Sequence, residues 1–185
     1  RLQIKGAKDG LIVDATDCAK LREIQVTGTP NLTIRQHPDA RFKLIVSKSY
    51  FSSLSRLGVE QATSLYLEDV RQRDIDLLGK VSPSIASLSI TVEAGDAYGT
   101  DGLRYRPLPF DNTFITQLSN QLPQLQRLQV TFAERQDFDR ASFDKLKLPA
   151  LQELSIGIRP GKTPVARSSW GHDLRFALDG CPALK

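Results

Sequence analysis

The sequence lacks any long run of apolar residues. No stretch of its 185 residues approaches the roughly 20 apolar residues that a helix needs to cross a bilayer. Its first residues, Arg-Leu-Gln-Ile-Lys-Gly, do not resemble a signal peptide. We therefore expect no membrane span and a soluble chain. Localisation is otherwise left open, because the sequence does not begin with Met.

Cysteine and histidine are scarce. Cys18 and Cys181 are the only cysteines and form no CxxC motif, which favours a reducing intracellular compartment over a disulfide-rich class. His37 and His172 are the only histidines, and neither has a second ligand at a metal-site spacing. Residues 160–163, Pro-Gly-Lys-Thr, lack the first glycine of a phosphate-binding loop. We therefore predict no metal, no cofactor, no catalytic residue and no enzyme activity.

The composition fits one globular domain over residues 1–185. An apolar fraction of 40% and a charged fraction of 25% argue against disorder of the whole chain. The length suits a single substantial core. The formal net charge of +4 comes from interspersed residues of both signs, whereas nucleic-acid binding needs a clustered basic face.

A short pattern with apolar residues at its first, fourth and sixth positions recurs along the chain. It is clearest at Leu151, Leu154 and Ile156, and copies lie at residues 19–26, 62–67, 83–90 and 123–130. The centres of the predicted strands are Leu2, Ile24, Leu44, Leu65, Leu88, Leu128 and Leu154. Successive centres are 22, 20, 21, 23, 40 and 26 residues apart. Because one repeat cannot bury its apolar row alone, we expect the strands to stack into one parallel sheet.

This pattern resembles that of leucine-rich repeats, whose units run about 20 to 29 residues. Residues 27–34, Thr-Gly-Thr-Pro-Asn-Leu-Thr-Ile, are similar to the bacterial repeat pattern V-x-G-N-P-x-L-T-x-L. Cys18 and Cys181 each precede a repeat leucine by three residues, as in the cysteine-containing and ribonuclease-inhibitor types. The resemblance implies that both cysteines pack as small buried groups. The usual Asn between turns is replaced, for example by Thr29, which predicts an irregular solenoid.

The resemblance implies an α/β leucine-rich-repeat solenoid with a parallel sheet on its concave face. The first repeats would return through extended segments on the convex face, and later ones through short helices. Helix signals lie at residues 51–57, 74–81, 112–122, 139–146 and 169–178, the last stopping at a left-handed Gly180. Because the sequence opens and ends inside a repeat, we expect it to be part of a longer polypeptide.

Alternation along the strands leaves three rows of side chains on the open face of the sheet. The first row is Arg1, Glu23, Lys43, Ser64, Ser87, Arg127 and Glu153; the second is Gln3, Gln25, Ile45, Tyr66, Ser89, Gln129 and Ser155; the third is Lys5, Thr27, Ser47, Glu68, Thr91, Thr131 and Gly157. An aromatic anchor in polar surroundings is typical of an interface hot spot. We predict partner binding by Glu23, Lys43, Tyr66, Glu68, Arg127 and Glu153. The alternative is that these are ordinary solvated strand residues.

The step of 40 residues contains an insertion at residues 93–110. Loops inserted into repeats are often binding elements. Its Tyr98, Arg104, Tyr105 and Arg106 combine aromatic area with several hydrogen-bond donors, so we predict that they contact a protein partner. The alternative is a tolerated surface loop.

The sequence therefore predicts a module that recognises a protein and has no small-molecule substrate. The resemblance implies the substrate-recognition part of a ubiquitin-ligase adaptor, or a bacterial effector that engages host proteins. One alternative is a nucleic-acid-binding surface formed by Arg104, Arg106, Arg159, Lys162 and Arg167. Another is a structural scaffold segment with no partner of its own.

Overall fold

A computed structural model describes residues 1–6, 10–28, 32–47, 62–68, 85–92, 97–98, 104–105, 112–132, 143, 145–158 and 178–184. The strands are β1 (Leu2–Lys5), β2 (Ile12–Ala15), β3 (Glu23–Thr27), β4 (Thr33–Gln36), β5 (Phe42–Ser47), β6 (Ala62–Glu68), β7 (Ser87–Val92), β8 (Ala97–Tyr98), β9 (Arg104–Tyr105), β10 (Arg127–Phe132) and β11 (Glu153–Ile158). The helix α1 spans Asn112–Gln121, and a short 3-10 helix spans Leu178–Gly180.

Seven of the strands form one parallel sheet in the order β1-β3-β5-β6-β7-β10-β11. The predicted strand centres are direct neighbours in it, from Leu2 beside Ile24 to Leu128 beside Leu154. The 40-residue interval between Leu88 and Leu128 also links adjacent strands, since Leu88 pairs with Leu128. The chain is therefore a solenoid-like stack of parallel strands, as the repeat spacing predicts.

Alternate residues of these strands point into one continuous core. Ile24, Leu44, Leu65, Leu88 and Leu128 are all buried, and burying a side chain of this size contributes about 1.5–3 kcal/mol. The residues two places further along form a second buried row. That row is Val26, Val46, Leu67, Ile90 and Val130. The end residues Leu2 and Leu154 are only partly buried against the same core.

The side of the stack behind the sheet differs between early and later repeats. Behind β1 and β3, the chain returns through β2 and β4, which pair in parallel with Val13 beside Ile34. Extended returns are thus present in the first repeats, as predicted. Between β7 and β10 the return is α1, which buries Phe114, Ile115 and Leu118. The prediction of a helix over 112–122 is confirmed, and α1 ends two residues before Pro123.

The other predicted helices fare differently. Phe143 and Leu146 are buried as expected, but Leu146 N donates to Phe143 O at 3.1 Å in a turn, and neither residue is helical. The prediction of a helix there is wrong at these two positions. Gly180 does not adopt the left-handed conformation either. A Cβ at Gly180 would instead collide with the carbonyl oxygen of Leu146, so close packing explains this glycine. The helix signals at 51–57, 74–81 and 169–177 lie outside the described residues.

A tight turn precedes several strands of the sheet. Leu21 N donates to Cys18 O at 3.0 Å, and Leu184 N donates to Cys181 O at the same distance. The two cysteines therefore occupy equivalent turns, as predicted. Cys181 is buried near Leu146 O, but Cys18 is exposed. The prediction that Cys18 is buried is wrong because its turn borders an open groove of about 570 Å³ beside β1.

Two glycines end β1 and β3 in equivalent positions. Gly6 and Gly28 have φ of 54° and 57°, a region that other residues rarely adopt. This conformation lets Gly6 N donate to Thr27 O at 2.9 Å and Gly28 N donate to Ser47 O at 3.0 Å. Backbone amides therefore link successive turns directly after these strands.

Candidate functional site

The open face of the sheet carries the three rows in the predicted alignment. Glu23 lies beside Lys43, Ile45 beside Tyr66, and Arg127 beside Glu153. Glu68 lies beside Thr91 in the third row. Two members of that row depart from the expectation of exposure, since Ser47 and Thr91 are buried.

On the part of the open face formed by β1, β3 and β5, polar side chains bond to one another. Arg1 Nε lies 2.8 Å from Glu23 Oε1. Gln25 Oε1 accepts hydrogen bonds from Arg1 Nη2 at 2.8 Å and from Gln3 Nε2 at 3.0 Å. The hydroxyls of Thr27 and Ser47 are 3.1 Å apart. We call β1, β3 and β5 the self-bonded part of the face, because its polar groups largely satisfy each other.

On the part formed by β7, β10 and β11, the face sinks into a concavity of about 390 Å³. Its lining consists of Ser87, Leu88, Ser89, Arg127, Leu128, Gln129, Glu153 and Ser155. The depth follows from the sequence, because the short serines of β7 stand beside the long side chains of β10. Among the described residues, none forms a side-chain hydrogen bond with Ser87, Ser89, Gln129 or Ser155. We call this concavity the serine pit.

An ion pair lies at the edge of the serine pit. Arg127 Nε is 3.3 Å from Glu153 Oε2, and the two side chains are 69% and 64% exposed. At such exposure the pair adds at most about 1 kcal/mol to stability. Arg127 and Glu153 are the charged residues of the pit lining, so they set the electrostatic character of the site.

Tyr66 and Ile45 supply apolar area next to the serine pit. They are direct neighbours in the second row, both half-buried, and Tyr66 also lies beside Ser89. Lys43 and Glu68 flank this pair, two residues away on β5 and β6 respectively. The arrangement is an aromatic and aliphatic anchor with one charge of each sign beside it.

The insertion contains a short antiparallel hairpin, in which Tyr98 pairs with Arg104 and Ala97 with Tyr105. Sequence reasoning missed these two strands, although the aromatic residues in each favour β-structure. Arg106 and the alternative nucleic-acid residues Arg159, Lys162 and Arg167 lie outside the described residues.

Other titratable groups have local structural roles. The Thr16 hydroxyl donates to Asp14 Oδ1 at 2.6 Å. That bond, with a second from Thr16 N and the charge of Arg35, lowers the pKa of Asp14 below its usual value. His37 Nδ1 accepts a hydrogen bond from Asp39 N at 3.1 Å, within a turn.

Neither a metal site nor a membrane-spanning helix is present among the described residues. Over those residues, no cluster of three or more His, Cys, Asp or Glu side chains has the arrangement of a metal site. None of the helices in the described part of the chain is both long and apolar enough to cross a membrane.

Comparison with known proteins assigns neither a family nor a function. No protein-family model, curated protein or solved structure matches this sequence. The solenoid architecture is therefore supported by the strand register.

Proposed function

We propose that this chain is a leucine-rich-repeat protein that recognises another protein through the open face of its sheet. The observation that carries the proposal is the serine pit, whose hydroxyl and amide side chains form no hydrogen bonds with other described side chains and lie beside the half-buried Tyr66. Binding a partner can satisfy these groups without first breaking hydrogen bonds within the protein. The aromatic neighbour supplies apolar contact area.

The leucine-rich-repeat assignment is supported by spacing and register together. Repeats of 20 to 26 residues, with one longer repeat, place their apolar residues side by side on parallel strands. Such stacked strands present a rigid surface, which limits the conformational entropy that binding would otherwise cost. A role in a ubiquitin-ligase adaptor or a bacterial effector rests on the resemblance alone.

A protein partner fits the charge of this face better than a polyanion does. Arg1 is paired with Glu23, and Arg127 is paired with Glu153. A phosphate backbone would be attracted by each arginine and repelled by the glutamate next to it. Protein surfaces carry both signs and can match such a face.

The test begins with fragments of the source organism's proteome displayed on yeast and selected for binding to the chain. We expect Ser89→Arg, which fills the serine pit, and Tyr66→Ala to weaken the selected binders at least tenfold. Deleting residues 93–110 should also reduce binding. Thermal stability should change little in all three variants. Ser89 and Tyr66 lie on the open face of the sheet and are not among the buried core residues.

The matched control is Gln3→Arg, which adds the same side chain in the same row on the self-bonded part. It should leave binding unchanged. If the selected binders tolerate both Ser89→Arg and Tyr66→Ala, the proposed surface is wrong. Selection of DNA or RNA oligonucleotides with strong salt dependence, and of no protein fragments, would instead favour the nucleic-acid alternative.

A further inference from the structure

The Arg127–Glu153 ion pair has unused hydrogen-bonding capacity. The guanidinium carries five N–H donors, and its contact with Glu153 is made by Nε. Within the described part of the chain, neither side chain forms another hydrogen bond or ion pair. Both groups are therefore paired with each other yet able to bind a second charged group.

The Arg1–Glu23 pair on the self-bonded part of the face is different. Arg1 additionally donates to Gln25, and the Glu23 side chain is 29% exposed. Arg1 thus has a second bond within the protein, and the Glu23 side chain is less exposed than that of Glu153, which is 64% exposed. Of these two ion pairs, Arg127–Glu153 is the one in which both members are well exposed to a partner.

Covering this pair with an uncharged surface would be unfavourable. Burial removes water from both charges, and their mutual attraction repays this cost only when their remaining hydrogen-bonding positions are filled. A partner surface that carries charges of only one sign would attract one member of the ion pair and repel the other. A partner with both signs in the reverse order can bind the two together.

We propose that the protein partner carries an adjacent carboxylate and cation, with the carboxylate binding Arg127 and the cation binding Glu153. This inference rests on the proposed function and specifies the partner for the serine pit. Arg127 and Glu153 are on neighbouring strands, which lie about 4.8 Å apart. Opposite charges at i and i+4 of a helix are about 5–6 Å apart at their Cβ atoms, and directly opposite charges on two strands are about 4.5–5.5 Å apart.

The polarity of the pair would also fix the orientation of the partner. The other polar residues of the pit lining, Ser87, Ser89, Gln129 and Ser155, are uncharged. Each can donate and accept hydrogen bonds, so they do not distinguish one direction of approach from its reverse. Arg127 on β10 and Glu153 on β11 do, because reversing the partner would place like charges together.

The experiment exchanges the two charges with Arg127→Glu and Glu153→Arg in one chain. This double variant keeps the net charge and allows an ion pair at the same place, so its thermal stability should be close to that of the parent. The probes are the displayed proteome fragments selected on the parent chain. We expect their affinity to fall at least tenfold. Exchanging the charged pair within a fragment should restore most of that loss.

A matched control exchanges Asp14 and Arg35, another exposed ion pair between adjacent parallel strands, but on β2 and β4. Fragment binding should be unchanged there. Three outcomes separate the proposals. If Ser89→Arg blocks fragment binding but the charge exchange weakens it less than tenfold, this inference is wrong and the proposed function stands. If neither change weakens fragment binding, both the inference and the proposed function are wrong. If the charge exchange in the chain weakens binding but the exchange within the fragment does not restore it, the inference is also wrong.

Discussion

Gln25 and Gln129 occupy the same row of the open face, yet their surroundings differ. Gln25 on β3 accepts hydrogen bonds from Arg1 and Gln3. Gln129 on β10 lines the serine pit, and none of the described residues bonds to its side chain. The same residue type at the same register position thus contributes to the self-bonded part of the face in one repeat and leaves hydrogen-bonding groups available in another.

Strand register alone therefore does not determine which part of the face has hydrogen-bonding groups available. Both parts of the face have the same strand geometry and stand on the same continuous core. What changes is side-chain length, because β7 carries two serines where β3 carries Glu23 and Gln25. Gln129 stands between Ser89 and Ser155, and among the described residues neither short side chain bonds to its amide. The assignment of Glu23 and Lys43 to partner binding stays a prediction.

The largest effects on stability should be the same in both parts of the face, because both parts stand on the same core. We expect Ile24→Ala and Leu128→Ala each to lower the free energy of unfolding by about 2–5 kcal/mol, because both side chains are fully buried. Chemical denaturation measures this. A cost below about 1 kcal/mol at either position would show that the two parts do not share one well-packed core.

A backbone change should have an intermediate effect. Gly28→Ala should cost about 1–2 kcal/mol, because alanine resists the positive φ of 57° that this turn requires. The matched control is Gly157→Ala, where the conformation is not left-handed and a Cβ would meet open space. Its effect should stay within about 0.5 kcal/mol. Equal stabilities of the two variants in thermal denaturation would contradict the role given to Gly28.

Gln25 and Gln129 distinguish the two parts of the face most directly. Gln25→Ala should lower stability by up to about 1 kcal/mol, since it removes the acceptor of two exposed hydrogen bonds. Gln129→Ala should leave stability nearly unchanged and weaken fragment binding instead. Denaturation and binding measurements on both variants check this. If both glutamines affect stability equally, the division of the face into two parts is incorrect.

The smallest effect concerns Asp14, which is exposed. Its lowered pKa means that the bonds from Thr16 favour the charged carboxylate. The associated stability is present above the usual value of 3.8 and is lost as the pH falls through the lower folded-state pKa. Thr16→Ala should raise the pKa of Asp14 by removing the hydroxyl bond. Titration of the carboxyl carbon by NMR checks the direction, and an unchanged pKa would contradict it.

The strand register could be predicted from the sequence because it depends on a local rule. Apolar residues at alternate positions have one buried face, and a slip by one residue would expose all of them. That rule is enough to place Leu88 beside Leu128 across 40 residues. It also predicts which side chains share a row, so the six polar residues that line the serine pit were all placed on the open face.

Other features depend on contacts that the local pattern does not contain. The exposure of Cys18 depends on the open groove beside its turn, and the requirement for Gly180 depends on the backbone of Leu146. Phe143 and Leu146 have helical spacing, but their burial is achieved in a turn. The bonds that hold Gln25 were also not predicted, because side-chain reach across strands is not encoded in apolar spacing.

The change from β2 and β4 to α1 has a consequence for curvature. Strands lie about 4.8 Å apart, whereas packed helices need about 8–10 Å. Repeats with strands on both sides are equally thick in front and behind, so they add little bend. A helix is wider than the strand in front of it, so a repeat backed by a helix such as α1 favours a bend towards the open face. We therefore expect the sheet to curve more between β7 and β10, at the serine pit, than between β1 and β3.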